Sequence, residues 1–156
     1  GSVAASPLQL PPLLKHLLAD AGFKTIGLMH AAATPPGLEP PDYLWKAGTV
    51  AAGMSELASN RSLSDLAATT IGRLRPHCTK AFTHNEGETD TLPHATLRTI
   101  DVTCTAAGGS TRHLAFLFDL GNGGLLKAFF FQAPTADAAS HDRDAVAAVL
   151  RHAESR

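Results

Sequence analysis

The sequence predicts an α+β domain in which an antiparallel β-sheet carries helices packed mainly on one face. Three observations predict it. Apolar residues recur at helical spacing in residues 10–21, 62–75 and again near the C-terminus; the period changes to two from residue 97; and glycine-rich turns at 108–110 and 121–124 cut that part into strands suited to a meander. With 156 residues, 44% hydrophobic and 17% charged, the chain is long enough for one domain with a proper core. Residues 1–9 are set aside. Gly1-Ser2 reads as a cloning scar, and Val3-Ala4-Ala5-Ser6 resembles the small-residue linker that follows a signal peptide or a membrane anchor. Residues 10–156 make up the predicted domain.

Leu10, Leu13, Leu14, Leu17, Leu18 and Ala21 fall on one helical stripe, with Pro11 and Pro12 suited to its first turn and Gly22 to its end. Residues 24–30 (KTIGLMH) read as a strand. Residues 31–42 carry Pro35, Pro36, Pro40 and Pro41, which exclude both helix and central strand and predict a stiff surface loop. The run 43–57 mixes aromatic and β-branched residues with Gly48 and Gly53, and predicts a long bent strand or two short ones broken by a bulge. Ser62 with Asp65 three residues later is a helix-start signal; Leu63, Leu66, Ala67, Thr70, Ile71 and Leu74 continue the stripe until Pro76 ends it. A further strand is expected at 80–84.

In residues 97–106, Ile100, Val102 and Cys104 share one face while Thr99, Asp101, Thr103 and Thr105 share the other. Residues 113–120 alternate in the same way, and 125–133 (LLKAFFFQA) is apolar on both faces, as a central or helix-covered strand would be. A last helix is expected to open near Ser140, with Val146, Val149, Leu150 and Ala153 on its stripe. This element order from Ser62 to Ala153 resembles, in architecture only, the PsbP/Mog1-like group. The resemblance implies an accessory or binding role rather than catalysis, and it carries over no site residue.

Cys78 falls just past the 62–75 helix and Cys104 on the inward face of the 97–106 strand. A helix laying its stripe on that face brings the two sulfurs together, so a Cys78–Cys104 disulfide is expected, and with it a periplasmic or extracellular location. The sequence carries a formal charge of −1 with its basic residues scattered, which argues against nucleic acid as a partner. The longest apolar stretch is far shorter than the ~20 residues that span a bilayer.

Catalytic patterns fail one by one. Ser140-His141-Asp142 has triad residue types, but consecutively, where a triad needs separated segments; no G-x-S-x-G, H-E-x-x-H, P-loop or C-x-x-C pattern occurs. No cofactor is expected. His77, Cys78, His84, His94 and Cys104 are the groups from which a metal-handling alternative would be built, with a reduced cysteine pair, yet they lack the close ligand pairs of a structural zinc site. A hydrolase whose residues converge only in the fold is the further alternative. The acidic run Glu86, Glu88 and Asp90 reads as a solvated loop, and Asn60-Arg61-Ser62 matches the glycosylation sequon in a segment where Ser62 already has a capping role. The leading expectation is a non-enzymatic exported domain that binds an envelope protein or an apolar small molecule. Its surface is the proline-rich loop with the rim around Tyr43 and Trp45, together with a groove lined by the 125–131 strand, from which Phe129 and Phe131 are the candidate ligand contacts.

Overall fold

Eight strands form one antiparallel sheet in the computed structural model, which describes residues 9–155. The expectation for residues 1–9 lies, apart from Gln9, outside the described residues. The strands are β1 (Gly27–Leu28), β2 (Tyr43–Ala47), β3 (Val50–Ala58), β4 (Ala81–Glu86), β5 (Asp90–Thr91), β6 (Ala95–Thr105), β7 (Thr111–Gly121) and β8 (Leu125–Ala133). Their order is β1-β2-β3-β8-β7-β6-β4, with β5 pairing β6 off this path. The helices are α1 (Pro12–Asp20), α2 (Leu63–Leu74) and α3 (Ala136–Glu154). The predicted α+β class and the β6-β7-β8 meander are both present.

Strand alternation sorts the core into two layers. Trp45, Ala52, Met54, Leu97, Leu117, Phe129 and Phe131 point to one face, where α1 and α3 cover them with Leu14, Leu18, Val146 and Leu150. Ile100, Val102, Leu114, Phe116, Phe118, Leu126 and Phe130 point to the other, where α2 lays Leu63, Ala67, Ile71 and Leu74. Helices therefore sit mainly on one face, with α2 alone opposite. β8 is apolar on both sides because both sides are covered, as its composition implied.

Local chemistry explains where the element boundaries differ from expectation. Residues 43–57 form two strands, as one of the two expected forms has it, but a hairpin turn rather than a bulge separates them: Ala47 pairs with Val50 across a two-residue turn in which Gly48 takes φ +58°, a conformation that favours glycine. α3 opens at Ala136, not near Ser140, since Thr135 accepts a hydrogen bond from the Ala138 N–H at 3.1 Å and so caps an earlier turn. Its buried stripe is Ala139, Arg143, Val146, Ala147 and Leu150, while Ala153 is exposed. In α1, Leu13 is 85% exposed; Leu14 and Leu18 are the buried pair. Residues 24–30 contribute only Gly27 and Leu28 to the ladder, at the sheet edge beside β2. The two-residue strand β5 carries no period of its own in the sequence.

The expected disulfide is present. Cys78 and Cys104 are bonded at 2.01 Å, both buried, and join the chain just after α2 to β6. Ser62 caps α2 by accepting from the Asp65 N–H at 3.1 Å, as its position in the sequence implied.

Candidate functional site

α2 covers the β6–β7 half of its face, and the proline-rich segment approaches from the β3 side. Between them lies a cleft of about 290 Å³. Its floor is built by β7 and β8, whose alternation presents Phe116, Phe118, Leu126, Ala128 and Phe130 to this face. One wall is α2 through Leu66, Thr69, Thr70 and Arg73; the other is Leu38, Glu39, Pro40 and Pro41. Ser55, Leu57 and Arg61 also line it. Leu57 is 48% exposed, a large apolar side chain that the core does not use.

Two glycines allow the proline-rich wall to come so close. At Gly53 a Cβ would lie 2.5 Å from the Phe130 ring and 2.7 Å from Pro41 Cγ, so the absence of a side chain is what lets Pro41 rest on the sheet. At Gly37, with φ +93°, a Cβ would lie 2.6 Å from the Arg73 carbonyl oxygen, so the segment crosses the last turn of α2 in backbone-to-backbone contact. The Asp42 carboxylate then accepts from the Glu56 N–H at 2.8 Å and anchors the end of the segment to β3. A stretch of prolines thus becomes a fixed wall rather than a free loop.

Charge in the cleft is carried by three side chains. Arg61 lies along the start of α2, its Nη2 donating to the Asp65 carbonyl at 3.1 Å and to the Thr69 hydroxyl, and it forms no ion pair among the described residues. Arg73 Nη1 is 3.5 Å from Glu39 Oε1, a pair that spans the opening from wall to wall with both partners exposed.

The residues singled out from the sequence are not gathered in this cleft. Trp45 and Phe131 are each 1% exposed and meet edge to face, centroids 6.4 Å apart, in the core layer under α1 and α3. Phe129 is equally buried there, stacked with Phe131, and borders the cleft while its ring belongs to the opposite layer. Tyr43 is partly buried against the same layer. Trp45 is therefore interior packing while Tyr43 keeps part of its surface exposed, and the residues that line the cleft lie on the opposite face of the sheet. Residues of the proline-rich segment and of the 125–131 strand do line the same cleft.

Other candidates are engaged elsewhere. The sulfurs of Cys78 and Cys104 are bonded to each other, which leaves no thiolate for the metal reading. His141 Nδ1 lies 3.2 Å from Asp142 Oδ1 on the exposed side of α3, while the Ser140 hydroxyl donates back to the Asp137 carbonyl. Glu86 pairs with Arg98 and Asp90 with Arg151, each at 2.9 Å. Asp119, 2% exposed, is on the far face from the cleft; burial, reinforced by Glu154 and opposed by Lys127, pushes its carboxyl up to about 6. Among the described residues no helix is long and apolar enough to cross a membrane. Comparison with protein-family models and with curated proteins returns no match.

Proposed function

We propose that this chain is a non-enzymatic, exported binding domain, periplasmic or in the cell envelope, that holds an apolar small molecule in the cleft between α2 and the proline-rich wall. The observation that carries this reading is the cleft of about 290 Å³ left between α2 and the proline-rich wall, lined mainly by apolar side chains of β7, β8 and α2, with the half-exposed Leu57 at its edge. That volume is close to the ~300 Å³ at which small-molecule pockets begin. Export is supported by the buried disulfide, which persists in oxidising compartments and is rare in a reducing cytosol.

Native mass spectrometry of unheated protein, with a hydrophobic probe added to any empty fraction, tests the reading. The expected result is a bound apolar molecule or saturable probe binding, lost when Ala128→Trp fills the floor. Absence of both, or probe binding that Ala128→Trp leaves unchanged, would overturn it.

A further inference from the structure

We infer that the molecule held in this cleft is an amphipathic anion, an apolar body ending in a carboxylate or phosphate monoester, and that Arg61 and Arg73 receive its head. The inference rests on the binding reading above and adds the chemistry of the ligand's polar end. A purely apolar ligand has no use for guanidinium groups at the rim of an apolar floor, since approaching them strips water from charges and returns nothing. An anionic head turns that cost into charge-assisted hydrogen bonds, for which the planar guanidinium is well shaped.

The placement of the two arginines follows from α2. Thr69 and Arg73 are four residues apart on the cleft side of the helix, about 6 Å along its axis. The Thr69 hydroxyl holds Arg61, so both guanidinium groups are brought to the same wall. Arg61 is preorganised by its bonds to Asp65 and Thr69 and has no carboxylate of its own among the described residues. Arg73 does have one, but Glu39 stands on the opposite wall, 80% exposed and 3.5 Å away, in a geometry that contributes little in water. Glu39 thereby acts as a stand-in for the ligand head. An incoming anion replaces it on Arg73, and the apolar body continues onto Phe118, Leu126 and Phe130.

Titration of the intact protein with laurate, dodecyl phosphate and dodecanol, below their aggregation thresholds, separates the possibilities. Wild type is expected to bind at least one of the two anions about tenfold more tightly than the alcohol, the tighter of them identifying the head group. Arg61→Ala and Arg73→Ala are each expected to weaken anion binding by about five- to tenfold, with dodecanol binding unchanged, which also shows that the variants are folded. Glu39→Gln should strengthen anion binding about two- to fivefold by removing the competitor. Equal binding of anions and alcohol, or arginine variants that lower both alike, would overturn the head-group inference and leave the apolar cleft standing. Binding of none of the three would overturn the cleft reading itself.

Discussion

Asp119 is the side chain whose surroundings least suit its chemistry. It lies on β7 opposite Lys127, almost fully enclosed, with Oδ2 lacking a hydrogen-bond partner among the described residues. Its carboxyl rises from 3.8 to about 6, chiefly by burial and then by the charge of Glu154 at the end of α3. The folded state therefore holds this proton more tightly than the unfolded chain. Its contribution to stability is fully present below about 3.8 and is lost as the pH rises through about 6, a difference of ~3 kcal/mol. Asp119→Asn is accordingly expected to raise stability by up to ~3 kcal/mol near pH 8 and to change it little near pH 4, as read by urea unfolding at the two pH values. Arg143, the other buried charge among the described residues, is satisfied instead: it pairs with Asp101 and Asp144 and donates to the Ile100 and Phe116 carbonyls. Sequence periodicity passes over Arg143, because a charged residue in the apolar stripe of a helix reads as an interruption when partners such as Asp101 and the Ile100 and Phe116 carbonyls lie on strands distant in the chain.

Among the elements, those with a strong period or a clear stop are legible in advance. The α2 stripe with its Ser62 cap, the meander from Ala95 to Ala133 and the Cys78–Cys104 link all follow from local chemistry. The site is less legible for a physical reason. Alternation along β8 separates Phe129 and Phe131 from Leu126 and Phe130, but it does not say which set borders an opening; that depends on where α2 and the proline-rich segment, distant in the chain, leave a gap. Aromatic side chains draw attention to Tyr43 and Trp45, whereas the cleft depends on the small residues Gly53 and Ala128, whose value lies in the space they leave. Gly53→Val tests this directly. The added side chain collides with Pro41 and the Phe130 ring, so we expect a loss of about 1–3 kcal/mol in stability, measured by denaturant unfolding, and weaker binding of charged and neutral cleft ligands alike.

For the whole molecule, the disulfide secures the face that has only one helix. It closes a segment of sequence separation 26 and ties the end of α2 to β6, next to the turn where Gly37 crosses Arg73. In the chain-entropy model its removal costs about 3.5 kcal/mol. Replacing both cysteines by serine is expected to lower the unfolding free energy by that order, and the cleft wall formed by α2 to lose protection from hydrogen exchange before the α3 face does.

The sheet order has a further consequence for the history of the chain. β8, the last of these strands along the chain, is seated between β3 and β7, with Phe129 paired to Met54 on one side and to Leu117 on the other. Until residues 125–133 are available, β3 and β7 each carry an open edge, and neither the roof under α3 nor the cleft floor exists. The N-terminal part therefore has no finished state to settle into. A chain lacking residues 125–133 is expected to form neither the two-layer core nor the cleft, as hydrogen exchange would read.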